Sequence, residues 1–275
     1  MNEPRLLHPG DLPDLMALST AAGWNQTEED WRRVMALEPA GCFGVERDGR
    51  VVATATAVRY GRTLSWIGMV LTHADHRRIG LARRLMALSL EYLRDARVDW
   101  VWLDATDMGR PLYEALGFRT NCQVERWRRP AGGLPPMQPL AAAESSDFAA
   151  LDQEAFGADR SALIESLLAH WSACVPGRGC ALFRPGARAG YFGPCISRDP
   201  DAAEQLLLEC LSRYGDKDVF IDLLPANASA AGIAGRHGFA PVRRLVRMAL
   251  RLHNDAGALA RDDSLVYAIA GFEYG

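Results

Sequence analysis

Residues Val70 to Leu85 run from an apolar, strand-like stretch through the basic turn His73-Ala74-Asp75-His76-Arg77-Arg78-Ile79-Gly80 into an amphipathic helical pattern. This junction constrains the fold more than any other part of the chain, because it is built to hold an anion at the start of a helix. Gly80 and Ala82 leave room for backbone N–H groups to approach, and the helix N-terminus adds its positive dipole. Arg77, Arg78, Arg83 and Arg84 add charge, and a diphosphate fits such a turn.

The spacing Arg77-x-x-Gly80-x-Ala82 after a strand resembles the Gln/Arg-x-x-Gly-x-Gly/Ala signature of the GNAT N-acetyltransferases. A second motif follows in the same order: Pro111-Leu112-Tyr113-Glu114-Ala115-Leu116-Gly117-Phe118 is similar to that family's short helix ending in Leu-Tyr-x-x-x-Gly-Phe. The resemblance implies acetyl-CoA as cosubstrate. Its pyrophosphate would lie on Arg77, Arg78, Ile79, Gly80, Leu81, Ala82 and Arg83, and its acyl arm along the strand residues Val70, Leu71 and Thr72. His73 and His76 are expected to shape the loop.

Apolar residues make up 49% of the 275-residue chain, yet none of its runs approaches the roughly 20 residues that cross a bilayer, so no membrane association is expected. Met1 to Arg5 lack the basic start and apolar core of a signal peptide, and a cytoplasmic location is expected. A formal net charge of -3 argues against nucleic acid as a partner, since such binders carry a basic excess. The six cysteines form no Cys-x-x-Cys pair and the six histidines no His-x-x-x-His pair, so free thiols and no metal are expected.

The segment Arg129 to Pro139 is the clearest boundary, because its prolines and glycines suit neither a ladder nor a helix. The chain divides into residues 1–130, a linker 131–139, and residues 140–275. In the first part, Asp11–Ala22 and Thr27–Leu37 read as helices with capping residues. Phe43–Val58 reads as two strands joined at Asp48-Gly49, and Leu64–Thr72 as a third. Leu81–Arg94 reads as a helix with Leu81, Leu85, Leu88 and Tyr92 on its buried face, and Trp100–Asp104 as a strand.

An altered copy of this pattern follows the linker. Ser146–Phe156 and Ser161–Ala169 read as helices, Cys180–Phe183 and Ala187–Ile196 as strands, and Asp201–Tyr214 as a long helix. Val219–Leu224 mirrors Trp100–Asp104, and His237-Gly238-Phe239 mirrors Leu116-Gly117-Phe118. The expected fold class is therefore α/β: two tandem GNAT-like domains, each a mixed, mainly antiparallel twisted sheet flanked by helices.

Only the first copy carries the chemistry. The second has Gly193 to Glu204 where the phosphate turn belongs, with no Arg-x-x-Gly-x-Ala and with acids where phosphates would sit, and Ala234 where the first has Tyr113. Acyl transfer to an amine needs a polarised carbonyl, a proton acceptor for the amine and a proton donor for the thiolate. Tyr113, with a reference pKa of about 10, matches the family's proton donor. The third strand carries no carboxylate, which leaves Asp104 and Glu125 as candidate bases, and Trp24 and Asn25 in the helix-joining turn as candidate acceptor contacts.

The resemblance implies direct transfer of an acetyl group to a small-molecule amine in a ternary complex. The alternatives are a non-catalytic acyl-CoA sensor or scaffold, and a protein or peptide N-acetyltransferase. The second half is expected to wall the acceptor cleft or to pair two chains as a homodimer.

Overall fold

The computed structural model describes residues 3–275. The first half opens with strand β1 (Arg5–Leu6) and helices α1 (Leu12–Ala21) and α2 (Glu28–Leu37). Thr27 caps α2 in a reciprocal box: its hydroxyl accepts from the Asp30 amide at 3.3 Å while the Asp30 carboxylate accepts from the Thr27 amide at 2.8 Å. Strands β2 (Cys42–Arg47) and β3 (Arg50–Tyr60) meet at Asp48-Gly49, both at positive φ as a tight Asp-Gly hairpin requires. Next come β4 (Leu64–Thr72), α3 (Leu81–Asp95), β5 (Trp100–Ala105), α4 (Arg110–Ala115) and β6 (Arg119–Arg129).

The buried stripe of α3 is Leu81, Leu85, Met86, Ser89, Leu90 and Leu93. It is rotated from the face expected from the leucine spacing, and Leu88 and Tyr92 lie half-buried at its edge. The rotation has a polar partner, since the Tyr92 hydroxyl donates to Glu38 Oε1 at 2.7 Å.

The second half repeats the order with α5 (Ser145–Phe156), α6 (Ser161–Leu167), β7 (Trp171–Val175), β8 (Gly179–Arg184), β9 (Gly190–Ser197), α7 (Pro200–Tyr214), β10 (Val219–Leu223), α8 (Ala228–Arg236) and β11 (Ala240–Arg251). A last strand, β12 (Val266–Ala268), comes just before the C-terminal residues. Strand β7 was not expected from the sequence; its five residues give too short an alternation to stand out from a loop. Between them, residues 130–140 carry neither helix nor strand.

All twelve strands form one sheet, in the order β1-β2-β3-β4-β5-β11-β6-β10-β9-β8-β7, with β12 on β9. The two halves thus exchange their last long strands: β11 of the second half lies between β5 and β6 of the first, and β6 of the first lies between β11 and β10 of the second. A buried ion pair fixes each exchange. Asp104 on β5 accepts from Arg247 on β11 through both oxygens, at 2.9 and 3.0 Å, and Asp222 on β10 accepts from Arg126 on β6 at 2.8 and 2.7 Å. In both pairs the acid and the arginine stand directly opposite each other across the ladder. The mirrored aspartates of the internal repeat are therefore the anchors of the swap.

One expectation is corrected here. Cys174 and Cys180 are not free thiols but are joined as a disulfide across the β7–β8 hairpin, where they occupy facing positions. Cys42, Cys122, Cys195 and Cys210 remain thiols. Among the described residues, no helix is long and apolar enough to cross a membrane, and no cluster of three or more His, Cys, Asp or Glu is placed to hold a metal ion.

Candidate active site

Strand β4 pairs with β5 only at its start, from Leu64–Trp66 to Trp100–Trp102, after which the two strands part. A bulge lies between Gly68 and Leu71, with Met69 at φ 48°, a left-handed conformation that costs a residue with a Cβ on the order of 1 kcal/mol. The Thr54 hydroxyl donates to the Met69 carbonyl at 2.7 Å and holds the bulge on the β3 side. The opposite edge of β4 is left unpaired there, because neither β5 nor any other strand among the described residues pairs with it. A bulge re-aims backbone groups in this way, and nothing in the local sequence signals it.

A cleft of about 830 Å³ runs along this edge, lined by Val70, Leu71, Thr72 and, at its outer end, by Arg77, Arg78, Gly80, Leu81, Ala82 and Arg83. Arg78 and Gly80 both take positive φ, 63° and 86°, and turn the loop into α3. The space where a Gly80 Cβ would stand is empty to 4 Å, no side chain caps α3, and its first turn has no acid. The first amides of α3 are thus exposed to the cleft, and Arg77, Arg78 and Arg83 have no carboxylate partner among the described residues. The Arg77 Nε–H donates to the Thr72 carbonyl at 3.2 Å, and the His73 ring accepts from the Asp75 amide at 3.4 Å, so both brace the loop. Ile79 is exposed. A pyrophosphate fits this loop on chemical grounds: amide donors at the start of α3, a dipole, guanidinium groups and no acid in the first turn of the helix.

Farther in, a cavity of about 90 Å³ continues from the cleft. Tyr113, Trp24, Val70, Thr106 and Arg243 line both spaces, so they mark the junction. Tyr113 sits on α4, its ring edge-on to Phe118 at 6.1 Å, and its hydroxyl has no hydrogen-bond partner among the described residues. Burial pushes its pKa well above the usual phenol value, so it is protonated at neutral pH.

The inner cavity is walled by both halves. Gln26, Gly68 and Asp104 come from the first, Arg243, Phe272 and Glu273 from the second. Phe272 and Glu273 belong to the segment after β12, which the first half ties down: Trp66 Nε1 donates to the Phe272 carbonyl and the Tyr60 hydroxyl to the Tyr274 carbonyl, each at 2.8 Å. Gly68 makes this approach feasible. A Cβ there would stand 2.9 Å from the Glu273 backbone.

The Glu273 carboxylate accepts from Arg184 Nη2 at 3.0 Å and Gln26 Nε2 at 2.9 Å. Burial, together with nearby Asp30, raises its pKa above the usual carboxylate range against the pull of Arg184 and Arg126.

The other expected site residues fall elsewhere. Asp104 lines the inner cavity, but the Arg247 fork takes both of its oxygens. Glu125 lies outside both cavities and accepts from Arg244 and Trp127 at 2.8 and 3.0 Å. Asn25 points into the junction between halves, where its amide bonds the backbone of Arg188 and Ala189. Sequence reasoning missed Gln26, Arg243 and Glu273, which carry no motif and reach the cavity only through the fold.

The second half has the same splay but closes it. Strand β9 pairs with β10 only over Gly190–Phe192, and β12 then occupies its freed edge. At the start of α7 the Asp199 carboxylate accepts from the Ala202 amide and pairs with Arg178, so the protein's own acid fills the anion position.

Family models for acetyltransferases match twice, the acetyltransferase (GNAT) family over residues 12–118 and an acetyltransferase (GNAT) domain over residues 148–267. The chain is a tandem member of the GNAT acetyltransferase family. It is similar to the uncharacterized N-acetyltransferase YitH of Bacillus subtilis (strain 168), at 27% identity over 221 residues, which cover 73% of this chain and 75% of that one. Mycothiol acetyltransferase of Thermomonospora curvata is 34% identical over 98 residues, 34% of this chain and 33% of that protein.

Among solved structures, a putative acetyltransferase from Pyrococcus horikoshii superposes with a TM-score of 0.87 at 20% identity, covering 99% of this chain and 95% of that one. A tandem GNAT protein from the clavulanic acid biosynthesis pathway gives 0.62 at 14% identity, covering 92% and 99%. These structural likenesses concern the fold.

Proposed function

We propose that the chain transfers an acetyl group from acetyl-CoA to the amine of a small molecule, in the first half only. The observation that carries this reading is continuity: an anion-binding loop and an unpaired strand edge line one cleft that adjoins an inner cavity bearing charged and polar groups, with Tyr113 at the junction.

Bound acetyl-CoA supplies a thioester whose acyl carbon takes the acceptor nitrogen as the C–S bond breaks. The α3 amides and Arg77, Arg78 and Arg83 hold the pyrophosphate, and the free edge of β4 around the bulge orients the acyl arm. Glu273 accepts the proton that the amine nitrogen loses, and Tyr113 gives its own proton to the departing sulfur. Glu125 lies outside both cavities and Asp104 gives both oxygens to the Arg247 fork, whereas Glu273 gives one oxygen to Arg184 and the other to the neutral Gln26 amide, which is why the base is assigned to Glu273.

The binding arm is tested by calorimetry with coenzyme A, and the transfer arm by thiol release with a broad amine panel. Gly80→Val forces a β-branched residue to φ 86°; the variant should bind coenzyme A at least 10-fold more weakly. Wild-type affinity in that variant, or no heat of binding in the parent, would remove the loop from the assignment.

Glu273→Gln tests the base. In the parent, kcat/KM falls as pH drops through the raised Glu273 pKa, because only the carboxylate accepts a proton. That acid limb lies above the usual glutamate value of about 4.3. The variant keeps one acceptor oxygen for Arg184 and presents an NH2 to Gln26, whose amide must turn its oxygen to meet it; it lacks the limb and loses about 100-fold in kcat. An unchanged acid limb would assign the proton to another group.

A further inference from the structure

Arg243 is a cation without a counterion in a confined place. It stands on β11 opposite Arg126, half-buried, and faces the inner cavity, the coenzyme cleft and an open depression of about 630 Å³ lined by Thr106–Met108 and Pro241–Arg244. It makes no ion pair or hydrogen bond among the described residues. Burial and the neighbouring Arg126 guanidinium lower its pKa against the opposing pull of Asp222, which is itself paired with Arg126. Every other charge on the cavity wall is matched: Arg126 by Asp222, Asp104 by Arg247, Glu273 by Arg184.

The opposite need is also present. Gln26 is 7% exposed, and its Nε2 is committed to Glu273, which fixes the orientation of the amide. Its Oε1 is buried with no partner among the described residues. An unmet buried acceptor is costly, and the residue that bears it lines the same cavity as Glu273. The cavity thus offers an unsatisfied donor at Arg243 and an unsatisfied acceptor at Gln26.

We propose that the acceptor is an amino acid or a close relative, with its carboxylate on Arg243 and its amine directed to Gln26 Oε1 and Glu273. This rests on the acetyl-transfer reading and narrows it. The cavity of about 90 Å³ holds several waters, enough for the amine and carboxylate head, and the adjoining depression accommodates the side chain. Neither space is lined by the Arg77–Arg83 loop, so the head enters without competing with the coenzyme phosphates. A carboxylate could also arrive on the acyl chain of the donor, and the experiment separates the two sources.

The test compares matched acceptors, each of several amino acids beside its amide and its decarboxylated amine, with acetyl-CoA as donor. The carboxylate-bearing member should be preferred on the order of 100-fold in kcat/KM. Arg243→Gln should raise the KM of that member and cut the preference to a few-fold, leave the acetyl-CoA KM unchanged, and be partly rescued by Arg243→Lys. Gln26→Leu should weaken all three members of each set, because it removes the amine contact they share.

Equal use of acid, amide and amine by the parent overturns the proposal and leaves acetyl transfer standing. So does an Arg243→Gln effect confined to acetyl-CoA, or one seen only with succinyl-CoA and a neutral amine. If coenzyme A binds but no member of any set is acetylated, the transfer reading falls and this one with it.

Discussion

Asp104→Ala should lower the unfolding free energy by about 3–5 kcal/mol, because it strands a guanidinium that has no other outlet. The Arg247 side chain is 1% exposed and that of its partner 0%. Removing either member leaves an unpaired charge at the centre of the sheet, where β11 enters the first half. For a chain of this size the shift in Tm is on the order of 10 °C.

Asp222→Ala should do the same at the mirror-related joint, since Asp222 is equally buried against Arg126. The double variant Asp104→Leu/Arg247→Met separates pairing from packing. With both charges gone the desolvation penalty goes too, and most of the lost stability should return. Each joint ties one half to the other, so denaturation followed by fluorescence and by circular dichroism should trace one coincident transition in every variant. A loss below about 1 kcal/mol in both single variants would show that the exchange is held by the ladder alone.

The joints explain what could and could not be read from the sequence. Elements defined by neighbours along the chain were legible: the capped start of the helix after Thr27, the Asp48-Gly49 hairpin and the Gly80 turn each carry their cause within a few residues. The repeat was legible too, because Trp100–Asp104 and Val219–Leu224 share a pattern. The pairing of β6 with β10 and of β5 with β11 was not. Those registers join residues about 100 to 150 apart, as Arg126 to Asp222 and Asp104 to Arg247 show, and an isolated copy could satisfy the same hydrophobic alternation.

The same non-locality hid half of the site. Asp104 looks like a free strand-end acid until Arg247 arrives from the other half, and Glu273 looks like a tail residue until Trp66 and Tyr60 dock the segment that bears it. The tyrosine was visible because its helix carries a motif. Glu273 was not, because the fold brings it to the cavity from a distant segment.

Tyr113→Phe should lower kcat by about 100- to 10,000-fold while leaving the KM for acetyl-CoA within about threefold of the parent. The substitution removes one oxygen. The ring keeps its edge-on contact with Phe118, and no protein hydrogen bond is lost, because the hydroxyl makes none among the described residues. Stability should therefore hold, and any loss of turnover belongs to the proton. The buried phenol stays protonated through neutral pH, which suits a donor to a thiolate whose conjugate acid lies near 8.5.

A leaving group that needs no proton should bypass the defect. Acetyl thioesters of more acidic thiols, assayed by thiol release, should restore the variant toward parental rates, in proportion to the fall in thiol pKa. If Tyr113 instead only packs beneath the coenzyme arm, the variant will be equally slow, or equally fast, with every thiol. The dependence on the leaving group therefore separates a proton donor from a packing residue, and a flat response would end the assignment even if kcat were low.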